Sequence, residues 1–239
     1  MFCQASMRKR KYAQLKEASH RNDCLIEVIE EFYESRKKQS KVVHETPVAC
    51  IHNLVGTANI ESSVKEFDLE IISKIMPNAT YDQQKFAAIT IRIVNPVCTV
   101  LLFTSGKMVL TGCRSLIECY QASLEIVHIL RRGLLGVRFV LRCVNIQNIV
   151  GNVDLKLDTL SQTVDLEKLY SDLSVYCTFQ KNMFPGLIYR ANYSPVVLLI
   201  FQSGKIVITG GKSTEDIFDG WKQLWPTVKK YIKPKNNIM

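Results

Sequence analysis

No two of the eight cysteines, at positions 3, 24, 50, 98, 113, 119, 143 and 177, form a CxxC pair. Nor does any His-x3–5-His spacing accompany them. A zinc site built on either pattern is therefore excluded. Scattered single cysteines without a secretory leader suggest a reducing compartment, with Cys serving as a small apolar side chain. Long apolar runs are missing too. Val196–Phe201 is among the longest, far short of a membrane span, so a membrane partner is not expected. The four histidines, at 20, 44, 52 and 128, show no ligand or triad spacing. No paired-carboxylate or Lys/Asp constellation stands out, which argues against an enzyme. No cofactor motif is present. Acidic residues are the minority, 22 against 31 Lys+Arg, for a formal charge of +9. That balance favours a polyanionic partner.

What is present is a repeat. "LLFTSGKMVLTG" (101–112) returns as "LIFQSGKIVITG" (199–210), 98 positions on. "FAAITIR" (86–92) returns as "FPGLIYR" (184–190) at the same offset. "IHNLVGTANI" (51–60) returns as "IQNIVGNVDL" (146–155) at an offset of 95. Two such units are too few and too long for a solenoid and read as a pseudo-dimer within one chain. The boundaries expected are 1–45 for a basic, partly helical N-terminal extension, 46–142 for the first repeat and 143–239 for the second. The extension holds ten Lys/Arg against seven Asp/Glu, with "RKRK" at Arg8–Lys11 and a helical pattern in "CLIEVIEEFYESRKK". Each repeat reads strand, short helix (64–76 and 163–173), three apolar strands, then a longer helix. The strands are 86–94, 97–104 and 107–112, with partners 184–191, 196–202 and 205–210. The class is α+β, with helices layered on one side of an antiparallel sheet.

The hairpins are apolar at nearly every position. Side chains alternate along a strand. Leu101, Phe103, Lys107, Val109 and Thr111 therefore share one face, and Val100, Leu102, Met108 and Leu110 the other. The second copy splits likewise. One layer of helices covers only one face. The helix count leaves no second layer, so the remaining face is expected to be a binding surface.

The paired motifs, above all "FPGLIYR", "IQNIVG", "SGKMVLTG" and "LLIFQSGKIVITG", resemble the TATA-box-binding protein family over about Val48 to Lys233. The resemblance implies a saddle: a curved ten-stranded antiparallel sheet, helices on its convex side, its concave side in a DNA minor groove. It implies a transcription initiation factor that binds A·T-rich DNA, bends it and nucleates a preinitiation complex. Wedge positions would be Phe86 and Phe103, then Phe184 and Phe201, prising base steps apart. Asn53 and Asn148 would donate to the A N3 and T O2 acceptors. Val55, Leu101, Val109, Thr111, Val150, Leu199, Val207 and Thr209 would form the apolar floor. Phosphate contacts fall on Arg92, Ser105, Lys107 and Arg114, with Arg190, Ser203, Lys205 and Lys212 in the second half.

Departures matter as well. Where the family carries two glutamates that bind the initiation factor TFIIB, this chain has Gln180 and Asn182 with Lys181 between them. A TFIIB-like partner would meet an altered contact. Around "RRGLLGVR" the first-half helix lacks the family's full basic row, so a TFIIA-like partner is an open expectation. The uncovered apolar face also allows self-dimerisation. Nuclear localisation, or a viral replication compartment if the source is a large DNA virus, follows from the resemblance. Two alternatives stand beside this reading: an interaction module that has lost DNA binding, and an enzyme using the same fold. Intact wedge phenylalanines and asparagines speak against the first. The second lacks a catalytic constellation.

Overall fold

The computed structural model describes residues 46–235 apart from Thr159, Ala191 and Tyr193. The Arg8–Lys11 run and the helix expected near residues 24–38 lie outside the described residues.

The first repeat runs β1 (Cys50–Ser62), α1 (Leu69–Ile75), β2 (Ala79–Thr80), β3 (Ala88–Ile93), β4 (Cys98–Phe103), β5 (Lys107–Cys113) and α2 (Leu116–Gly133). A short β6 (Phe139–Leu141) follows. The second repeat runs β7 (Asn145–Asp154), β8 (Gln162–Val164), α3 (Leu166–Leu173), β9 (Cys177–Thr178), β10 (Leu187–Arg190), β11 (Val197–Ile200), β12 (Lys205–Gly211), α4 (Thr214–Val228) and β13 (Ile232–Pro234). Ten strands pair in the order β2-β3-β4-β5-β1-β7-β12-β11-β10-β9, all antiparallel. The order reads the same from both ends: each repeat contributes five strands, and β1 meets β7 at the centre. An eleventh strand, β6, extends the pairing of β1, while β13 pairs with β8 in a small separate sheet. The fold is the α+β sheet-and-four-helix architecture that the repeat implied.

The short helices begin later than their apolar spacing suggests. Asp68 and Asp165 cap them, each carboxylate accepting an N–H three residues on, from Ile71 and Lys168. Ahead of the first cap, the N–H of Phe67 donates to the carbonyl of Thr104. The same landmarks locate the drift in repeat offset from 95 to 98. The caps are 97 apart, and α3 has eight residues where α1 has seven. Two extra residues therefore lie between β7 and α3, and the third lies in the helix.

The core sits between the sheet and the helices. Val100, Leu102, Met108, Leu110, Ile200, Ile206 and Ile208 are fully buried against it. The first-half core holds three thiols, Cys98, Cys113 and Cys119, all buried. The positions matching Cys98 and Cys119 in the second half are Val196 and Ile217, so cysteine here occupies apolar sites. Among the described residues no group of His, Cys, Asp or Glu is arranged to hold a metal, and no helix is long and apolar enough to cross a membrane.

Both hairpin turns close on glycine. The N–H groups of Gly106 and Gly204 donate to the carbonyls of Phe103 and Phe201 at 2.9 Å, with φ of +80° and +81°. A Cβ on Gly106 would clash with the backbone oxygen of Ile60, whereas one on Gly204 would meet side chains, Leu157 at 2.8 Å and Leu155 at 3.2 Å. Gly106→Ala should therefore cost roughly 3 kcal/mol and Gly204→Ala roughly 1 kcal/mol. Urea denaturation of the two variants checks the difference, and equal losses would show that the Ile60 clash is relieved.

Candidate functional site

The candidate site is the sheet face that no helix covers among the described residues. Along β4 and from Met108 to Thr111 on β5, buried residues alternate with half-buried ones. β11 and β12 repeat that alternation. Leu101 stands opposite Val109, and Leu199 opposite Val207. Together with Val55, Val150, Thr111 and Thr209 they make a half-buried floor across both halves, as the strand parity required. Among the described residues, no helix lies over the apolar side chains on this face.

At each end of the floor two phenyl rings meet edge to face. Phe86 and Phe103 have centroids 6.3 Å apart, and Phe184 and Phe201 have centroids 5.8 Å apart. Phe86 is 48% exposed, high for a large apolar side chain. The second pair sits closer because it lies over Gly186, where a Cβ would come within 2.7 Å of Phe184 and 3.0 Å of Phe201. The corresponding first-half residue is Ala88, opposite Phe103 on β3.

The centre is organised by two β-bulges. Leu54 pairs with Cys113 and Gly56 with Leu110, so Thr111 and Gly112 together oppose Val55. In the second half Thr209 and Gly210 together oppose Val150. A bulge takes an N–H out of the ladder. Here the orphan is used: Gly112 N–H donates to Asn53 Oδ1 and Gly210 N–H donates to Asn148 Oδ1, both at 2.8 Å. The glycines reach this geometry at φ of +97° and +96°, where other residues are strained. With its oxygen engaged, each carboxamide has Nδ2 as its remaining polar atom. Asn148 Nδ2 donates one hydrogen to Thr209 Oγ1 at 3.2 Å and has a second to offer, while no hydrogen bond holds Asn53 Nδ2 among the described residues. The glycines are part of the site, and sequence reasoning passed over them. Their signal was the repeated Thr-Gly at the end of each hairpin.

Arg92, Ser105, Lys107, Arg114, Arg190, Ser203, Lys205 and Lys212 are all exposed. The six cations among them make no ion pair within the described residues, although Lys85, Arg142, Lys181 and Lys233 do. Arg114 and Lys212 are held at the backbone instead. Their N–H groups donate to Glu118 Oε2 at 2.7 Å and Asp216 Oδ2 at 2.8 Å, in the first turns of α2 and α4. Burial pushes the Asp216 carboxyl up, but hydrogen bonds from the Ser213 and Lys212 amides hold it below its ordinary value. It therefore remains a charged brace beneath Lys212. Gln180 and Asn182 are exposed on the turn before Phe184, and Lys181 pairs with Glu167 at 3.3 Å.

The family model described as transcription factor TFIID (or TATA-binding protein, TBP) matches residues 49–133 and again 143–231. A TATA-box-binding protein of Candida albicans is 37% identical over 186 residues, 78% of this chain and 74% of its own. TATA-box-binding protein 2 of Arabidopsis thaliana is also 37% identical over 186 residues, 78% of this chain and 88% of its own. Among solved structures, the Methanococcus jannaschii TBP superposes with a TM-score of 0.65 at 33% identity, covering 77% of this chain and 99% of that one.

Proposed function

The chain belongs to the TATA-binding protein family, and from that premise we propose that its open sheet face binds the minor groove of A·T-rich promoter DNA, bends it, and so starts assembly of a transcription initiation complex. The family consists of DNA-binding factors, not enzymes.

One observation carries the reading. Two asparagines in a largely apolar floor have their oxygens tied to backbone N–H groups, which would leave amide hydrogens to donate into the groove. The groove floor of A·T pairs offers only acceptors, N3 and O2. The residues around them support the same role. The phenylalanine pairs flank the floor at the spacing of the repeat and would unstack a base step at each end, at a cost of about a few kcal/mol per step. Apolar contact along the floor offsets that cost. The unpaired exposed cations would neutralise phosphates and fix the register. The nearly two-fold arrangement suits a nearly two-fold duplex.

Such a factor works in the nucleus or in a viral replication compartment, with TFIIB-like and TFIIA-like partners. At Gln180 and Asn182 the TFIIB-like contact would be neutral, and Lys181 is already paired with Glu167. A partner fitted to acidic residues there would be disfavoured, so a cognate factor is required.

A circular-permutation gel shift with a TATA duplex tests the reading. The complexes should migrate differently as the site moves from the end to the middle of the fragment. Uniform mobility at saturating protein would end the bending proposal. Adding a TFIIB from the same source and one from an unrelated source distinguishes a rewired contact from an ordinary one.

A further inference from the structure

The two halves of the open face differ in chemistry. On β3 and β4 of the first half, Thr90 and Thr99 are half-buried on the open face. Their counterparts 98 positions on are Ile188 and Val197. Thr99 stands opposite Thr111, and Thr90 stands opposite Leu101, which puts Thr90 diagonal to Thr99. Such neighbours on one face lie within about 5 to 8 Å. Three hydroxyls therefore run outward from β5 across β4 to β3. In the second half Thr209 stands opposite Val197, and Ile188 follows. The hydroxyl row stops at Thr209, which is itself hydrogen-bonded to Asn148. Thr and Val have nearly the same shape, so the difference at that step is an oxygen, not a contour.

In a minor groove a G·C pair differs from an A·T pair by one donor, the guanine N2 amino group. A floor of Ile and Val removes water from that donor and returns no partner, which penalises G·C. A threonine oxygen accepts it. We propose that Thr90 and Thr99 make the first half of the interface tolerant of G·C while the second half stays selective for A·T. The nearly symmetric face thereby reads its duplex in one direction. This rests on the minor-groove reading given above.

The test uses the full chain and a short TATA-like duplex in which each A·T pair in turn becomes G·C or inosine·C. Inosine lacks the N2 amino group and so isolates its effect. G·C should cost no more than inosine·C in one half-site, and about tenfold more in the other. Thr90→Ile with Thr99→Val should bring the tenfold cost to the tolerant half-site and leave every inosine·C duplex unchanged. Ile188→Thr with Val197→Thr should relieve the cost in the other. A profile that is even across the site overturns the proposal, as does an asymmetry that survives Thr90→Ile with Thr99→Val. In both cases tight binding of the all-A·T duplex would keep the minor-groove reading. If no duplex binds, both fall.

Discussion

Phe103→Ala combined with Phe201→Ala should abolish DNA bending and lower the affinity for an A·T-rich duplex by roughly 100-fold, the scale at which central aromatic anchors contribute to interfaces. The fold should persist. Both rings lie half-buried on the open face rather than among the fully buried core side chains. Each has an aromatic neighbour of its own half, Phe86 or Phe184, and removing it opens no cavity beneath the helices. One wedge alone would leave the other end of the site kinked, which is why the double variant is needed. Without wedges the duplex keeps its stacking and stays straight. A straight duplex cannot follow the floor from Leu101 to Leu199, so apolar contact is lost along with the rings. Circular permutation reads the bend, and a thermal melt checks the fold. A double variant that melts and bends like the parent would remove these residues from the wedge role.

Much of the architecture was legible because the chain states it twice. Apolar residues on both faces of each hairpin, with helices for only one face, required an open apolar surface, and the alternation on β4, β5, β11 and β12 shows it. The packing of α2 was not legible. Leu116, Ile117, Tyr120 and Leu124 are apolar at helical spacing, yet they are only half-buried, and Cys119, Ala122, Ser123 and Ile126 are the buried residues instead. The reason is close approach. A Cβ placed on Gly56 would lie 3.2 Å from Cys119 Sγ, so the contact needs small residues, which score as weakly apolar. Val127 and Leu130, further along the same apolar spacing, are buried.

The site divides along the same line. The family resemblance carried by the repeated motifs put forward the phenylalanines, asparagines and cations as candidates. Orientation could not be read, because it depends on partners far along the chain. Asn53 is braced from 59 positions away and Asn148 from 62. The Thr90–Thr99–Thr111 row is similarly hidden, since it runs diagonally across three strands and appears only once the register is known.

That bracing makes Asn53→Asp and Asn148→Asp the sharpest probes of the site. A carboxylate keeps an oxygen where Oδ1 was, so the N–H of Gly112 or Gly210 still has its acceptor, now a charged one. The bulge should hold, and stability should match or slightly exceed that of the parent. The outward atom changes from a donor to an anionic acceptor. It would face the A N3 and T O2 acceptors and add negative charge within a polyanion. Each variant should lose roughly 100-fold in affinity at neutral pH, corresponding to about 2–3 kcal/mol. Asn53→Ala should behave in the opposite sense on both counts. It strands the Gly112 N–H and loses about 1 kcal/mol of stability. It leaves the groove acceptors merely unpaired, so affinity should fall only about tenfold. The crossing of the two orders, Asp better for folding and worse for DNA, separates a reading role from a bracing role. Denaturation midpoints and binding isotherms on the same preparations measure both. If Ala is the more damaging substitution in both assays, the asparagines only brace their glycines, and the donors facing the groove must come from other residues.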